Sequence, residues 1–149
     1  MTYPDPPVIR RPMPPTSALD APFWEGLARG QFCMQQCASC KKWIWAPEWR
    51  CGACGAWDLT WPEIQMVGTV YSFADTHHPF LAQMREHLPF TNVLVELPQA
   101  GGIRLLGLLV GDKQGLAIGR RVRGIITAPE VAGELSVLRW RLTTTTSDI

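Results

Sequence analysis

From Val67 onward, short runs of β-branched and apolar residues alternate with turn signals. Val67–Phe73, Asn92–Leu97, Ile103–Val110, Arg121–Thr127 and Leu135–Leu142 predict five short strands. Pro98-Gln-Ala-Gly-Gly102 reads as a hairpin-type connection, and Gly111-Asp-Lys-Gln-Gly115 as a further turn. Five such strands across residues 65–142 predict a small barrel, and the five-stranded OB type is the simplest closed solution. Upstream, Asp20–Gly30 predicts a short helix. Asp20 offers a cap, Pro22 is tolerated in the first turn, Glu25 and Arg29 are four apart, and Gly30 ends it. Its apolar face, Phe23, Trp24 and Leu27, is too small to be a core and must cover either this chain's own domain or a partner. Seven of the 13 prolines lie within residues 1–22, so residues 1–19 predict an extended arm. The tail TTTTSDI, residues 143–149, predicts disorder, and no internal repeat is present.

Residues 31–64 have a different character. They hold all five cysteines and five of the seven tryptophans. Cys37-Ala-Ser-Cys40 and Cys51-Gly-Ala-Cys54 are two C-x₂-C knuckles, a spacing that lets four thiolates converge on one tetrahedral ion. This predicts a rubredoxin-like zinc ribbon with four cysteine ligands, Gly52 and Gly55 easing the second knuckle. Disulfides and an iron site are the competing readings. All four positions are filled by protein, so the zinc is structural and not catalytic. Strand alternation at Gln31-Phe-Cys-Met-Gln-Gln36 puts Phe32 and Met34 on one face and Cys33 on the other, an inert buried thiol. Trp43, Trp45, Trp49, Trp57 and Trp61 read as the small core a ribbon needs, with a base-stacking platform as the alternative.

Composition narrows the picture. The 149 residues suffice for one modest domain and a small module. A hydrophobic share of 46% excludes a disordered chain. No apolar run approaches a membrane span and no signal peptide is evident, so the expected compartment is the cytoplasm. The net charge is +1; a zinc ion held by four thiolates adds −2 and moves it to about −1, which argues against nucleic acid. One asymmetry remains: residues 104–141 carry seven basic residues against three acids. Arg121 and Arg123, separated by Val122, share one strand face beside Arg120. No G-x-S-x-G elbow, P-loop or G-x-G-x-x-G is present. His77 and His78, near Asp75, could be imagined as a general base, but a loop contact reads better, and Pro79-Phe80 presents an aromatic on a rigid turn. No catalytic residue is assigned.

The order of parts resembles the acyl-CoA-associated zinc-ribbon/OB-fold family, formerly a domain of unknown function. The matching segments are Pro22-Phe-Trp-Glu-Gly-Leu27, the two knuckles, Gly68-Thr-Val-Tyr-Ser-Phe73 and His77-His-Pro-Phe80. Pro89–Leu97, Arg104–Val110 and Leu116–Val122 follow. The resemblance implies a small non-catalytic subunit in a hetero-oligomer with a thiolase-fold acyl-CoA enzyme, helping to form or cover the acyl-CoA site. The aldolase branch that shortens steroid side chains is favoured over thiolase or acyltransferase complexes. Phe23, Trp24, Leu27, His77, His78 and Phe80 become the expected partner interface, and Arg120, Arg121 and Arg123 the expected contacts for CoA phosphates. A solvated face or an acidic partner would suit the same arginines. Two other classes compete: a single-stranded nucleic-acid module, and an independent acyl-CoA enzyme using His77 or His78.

Overall fold

The computed structural model describes residues 4–144. The chain is mainly β, with one N-terminal helix. Helix α1 (Ala21–Ala28) leads into a three-stranded ribbon sheet ordered β2–β1–β3. Its strands are β1 (Gln35–Cys37), β2 (Trp43–Ile44) and β3 (Leu59–Thr60). The barrel strands are β4 (Val67–Thr76), β5 (Phe90–Leu97), β6 (Ile103–Leu109), β7 (Arg121–Thr127) and β8 (Val137–Leu142). They close in the order β4–β5–β6–β8–β7, and β6 and β8 run parallel. Five strands closed in this order form an OB-fold barrel.

Four strands differ in extent from the sequence pattern: β5 starts at Phe90 and β6 ends at Leu109, while β4 and β8 differ for local polar reasons. β4 runs on through Asp75 and Thr76, whose side chains meet β5: the Thr91 hydroxyl donates to Asp75 Oδ1 at 2.6 Å, and Asn92 Nδ2 donates to Thr76 Oγ1 at 2.6 Å. β8 starts at Val137 because the Leu135 N–H is taken by Arg11 O of the N-terminal arm at 2.8 Å. The Pro98–Gly102 connection is a 3-10 turn, Pro98–Ala100, closed by Gly101 and Gly102 at φ 66° and 78°. A second 3-10 turn, Ala82–His87, has no counterpart in the apolar pattern.

The helix holds two local corrections. Asp20 does not cap it; the backbone there is not extended, and Asp20 Oδ2 accepts the indole N–H of Trp24 at 2.8 Å. Arg29 donates to Gln31 at 3.1 Å instead of pairing with Glu25. Pro22 sits in the first turn and Gly30 follows the end at φ 75°.

One core joins the three segments. Trp140, 0% exposed, stands at its centre against Phe32, with ring centroids 6.2 Å apart. Gly107 leaves room for it: a Cβ there would lie 2.8 Å from the indole. Phe23 and Leu27 of α1 pack into this core at 4% and 1% exposure. The helix face therefore covers this chain's own barrel, and Phe23 and Leu27 are removed from the expected interface. The arm also lies on its own barrel. The Arg10 guanidinium makes a bidentate pair with Glu134, the Met13 N–H donates to Gly133 O, and the Gly111 N–H donates to Asp5 Oδ1. The expectations for residues 1–3 and for 145–149 of the tail lie outside the described residues. Thr143 still belongs to the sheet edge, its N–H donating to Arg121 O at 3.2 Å.

Candidate metal centre and docking face

The two knuckles are built alike. In the first, the Lys41 N–H donates to Cys37 O and the Cys37 N–H to Lys42 O, both at 2.9 Å. In the second, the Gly55 N–H donates to Cys51 O and the Cys51 N–H to Ala56 O, again at 2.9 Å. Each turn needs a left-handed residue just after its second cysteine: Lys41 at φ 65° and Gly55 at φ 77°. Gly55 thus serves as its position implied, while Gly52 is not among the positive-φ glycines. Arg50 staples the second turn, its Nε donating to Gly55 O at 2.6 Å.

This geometry brings the four sulfurs within 4.8 Å of one another. Cys37 Sγ lies 3.6 Å from Cys54 Sγ, and Cys40 Sγ 3.6 Å from Cys51 Sγ. A tetrahedron with metal–sulfur bonds of about 2.3 Å has edges of about 3.8 Å, so the cage fits one thiolate-bound ion. The four thiols are not alike: Cys51 and Cys37 are drawn down, while Cys40 is pushed up to about 11 by burial and by the hydrogen bonds of its cysteine neighbours. The backbone N–H groups of Cys54 and Ala53 draw the Cys51 thiol down to about 6, and the N–H of Cys40 leads the lowering at Cys37. Burial instead pushes the Cys33 thiol up; it is 6% exposed and outside the cage, packed near Gly26. Gln35 is a structural residue that no motif marks. Buried at 2%, it donates to Glu48 O and accepts the Glu48 N–H, both at 2.9 Å, imitating a strand neighbour and tying the loop before the second knuckle to β1.

The other expected residues do not gather into one site. Arg121 and Arg123 are exposed on the outer barrel face with Val122 buried between them, and Arg123 stands across from Arg141 on β8. Arg120 is exposed before β7 and reaches Thr143 O at 3.5 Å. His77, His78 and Phe80 are exposed on the β4–β5 connection, where the His78 and Phe80 rings meet edge-on at 4.7 Å. Trp24 is half-buried. The ribbon tryptophans divide. Trp43, Trp45 and Trp61 pack against the core, but Trp49 and Trp57 are 64% and 72% exposed. With Trp61, Leu19 and Pro22 they line a surface groove of about 310 Å³. Their assignment to a ribbon core is corrected: the ribbon's small core is Cys37, Ile44 and Cys51 with Ala56 and Leu59. Among the described residues, no helix is long and apolar enough to cross a membrane.

Known proteins share this arrangement. Residues 61–126 match the family described as ChsH2, C-terminal OB-fold domain. A curated relative, the probable enoyl-CoA hydratase alpha subunit of Thermomonospora curvata, is 34% identical over 105 residues, covering 70% of this chain and 32% of that protein. The chain thus spans about a third of that relative's length. Among solved structures, a chain of the Ltp2-ChsH2(DUF35) aldolase superposes with a TM-score of 0.73 at 28% identity, covering 87% of this chain and 98% of that one. A DUF35-family protein of unknown function from Sulfolobus solfataricus gives a TM-score of 0.56 at 18% identity, covering 85% and 87%, a likeness of fold alone.

Proposed function

We propose that this chain is a partner subunit of an acyl-CoA enzyme, a reading supported by the match of residues 61–126 to the family described as ChsH2, C-terminal OB-fold domain. One observation carries the reading: the chain aligns with 98% of one component of an aldolase assembly. The relative named as a hydratase subunit points the same way, since its matching third is joined to a larger remainder. In this reading the cage holds zinc in a structural role, because four thiolates leave no position for water or substrate. The cytoplasm, where thiols stay reduced, suits it. Docking uses side chains the fold leaves outside: Trp49 and Trp57 on the ribbon and the His77–Phe80 turn, where Phe80 is 83% exposed. The partner is a thiolase-fold enzyme, and carbon–carbon cleavage of a steroid-type acyl-CoA is the favoured reaction. Arg120, Arg121 and Arg123 meet the CoA phosphates from the barrel side.

The test is to purify the chain from its own cells at native abundance and identify what accompanies it. The expected result is a stoichiometric thiolase-fold protein, and a complex that cleaves acyl-CoA thioesters. A complex that transfers the acyl group instead would keep the subunit reading and replace the aldolase. Co-purifying RNA, with salt-dependent binding to single strands, would overturn the reading and make Trp49 and Trp57 stacking platforms.

A further inference from the structure

The barrel has one weak seam. β6 and β8 share the single ladder pair Leu109 with Trp140, whereas β5–β6 and β7–β8 pair along most of their lengths. Where the two strands diverge, a cleft of about 440 Å³ lies between Phe23 and Trp24 of α1 and Leu108, Leu138 and Trp140 of the barrel. A second cleft of about 250 Å³ continues it beneath Pro7, Val8 and Ile9 of the arm. The two share Arg11, Trp24, Leu108, Val137 and Leu138, so they adjoin along the seam. The larger falls within the roughly 300–1,000 Å³ of small-molecule sites.

The charge of the lining decides what it admits. Arg11 is the one charged side chain of the larger cleft, and the smaller adds only Arg139. Arg139 is already engaged with Pro6 O at 2.7 Å. No carboxylate lines either cleft, and among the described residues no ion pair holds Arg11. An apolar groove with an exposed arginine, Arg11, where its two clefts adjoin favours an anionic head on an apolar tail. Two adjoining clefts that share Trp24, Leu108, Val137 and Leu138 favour an elongated, flexible tail.

We propose that this seam groove binds one long aliphatic chain with an anionic head group, the head at Arg11 and the tail along Trp24, Leu108 and Leu138. The site belongs to this chain alone, so its failure would leave the partner reading untouched.

The probe is dodecanoate, titrated calorimetrically below its micelle concentration into the full-length protein, with dodecanol as the uncharged counterpart. One saturable equivalent is expected. Arg11→Glu should weaken dodecanoate by about tenfold and leave dodecanol unchanged, because only the head interaction is reversed. Leu138→Trp should fill the groove and abolish both. Val8→Asp, on the arm and away from the core, should weaken dodecanoate with an unchanged thermal midpoint, which guards against a Leu138 variant that fails to fold. Absence of saturable binding, equal loss of dodecanol in Arg11→Glu, or a rigid sterol carboxylate binding as tightly as dodecanoate would each overturn the proposal.

Discussion

Single residues decide this fold where two backbones or a ring and a backbone come too close for a side chain. At Gly68 a Cβ would run into Val95 Cγ1 and lie 2.7 Å from the carbonyl oxygen of Glu96. The carbonyl is part of the β4–β5 ladder and cannot turn aside. Gly68→Ala should therefore destabilise the protein by about 1–3 kcal/mol, read as a lower urea midpoint at unchanged slope. Trp140→Ala, which empties the centre of the core, should cost about 3–5 kcal/mol in the same assay. At the cage, Ser in place of Cys37, Cys40, Cys51 or Cys54 should release the metal, measured by elemental analysis of the purified chain, while Cys33→Ser should keep it. Metal loss in the Cys33 variant would refute the ligand assignment. The cluster of four cysteines is legible in the sequence because a two-residue spacing lets both sulfurs of a knuckle converge. The exposure of Trp49 and Trp57 is not, because both sit in connections outside the strands, where no periodicity says which way an indole faces. Gln35 is hidden for another reason: its partners are backbone atoms of Glu48, and a backbone contact leaves no mark on the sequence.

At the scale of elements, polar side chains redraw what apolar runs predict. β7 matches its apolar run, Arg121–Thr127, because the strand is framed by turn residues. β4 outlasts its run because Asp75 and Thr76 are satisfied across the ladder by Thr91 and Asn92, a pairing between residues 16 apart in sequence. The arm is the clearest case. Its prolines declare an extended chain but not a destination, and the destination is set by Arg10 and Glu134, 124 residues apart. The hydrogen bonds from Arg10 hold the Glu134 carboxyl below its usual range. A depressed carboxyl stabilises the docked arm fully above the ordinary carboxylate range, and the contribution is lost as pH falls through the folded value. The protection factor of the Met13 amide, whose N–H is bonded to Gly133 O, should therefore fall in acid and hold above neutrality. Glu134→Gln should remove that acid dependence while leaving the barrel amides protected. Persistence of the dependence in the variant would place its origin elsewhere.

For the whole molecule, the distribution of burial separates what holds the chain together from what it offers to a partner. Helix, ribbon entry and barrel share one core through Phe23, Leu27, Phe32, Met34 and Trp140, so these segments should melt together. The knuckles have their own small cluster around Cys37, Ile44 and Cys51, whereas Trp43 and Trp45 between them pack against the large core. Removing the metal with a chelator should thus open the two knuckles, residues 37–42 and 51–56, to amide exchange while the amides of β5 and β6 stay protected. The same division bears on docking. Trp49 and Trp57 are large apolar side chains that belong to neither cluster. Two exposed indoles beside the groove formed with Trp61 and Leu19 make an anchor of the kind that dominates binding energy at interfaces. The double change Trp49→Ser, Trp57→Ser should leave the thermal midpoint of the isolated chain within about 2–4 °C, as for surface substitutions. It should weaken assembly with the co-purified enzyme by about 2 kcal/mol or more per indole, seen as loss of the complex on gel filtration at micromolar concentration. A complex that survives the double change would move the interface to the His77–Phe80 turn, where Phe80→Ser is the corresponding test. Loss of the complex in the tryptophan variant alone fixes the ribbon as the docking end and leaves the barrel's arginine face free to meet the ligand.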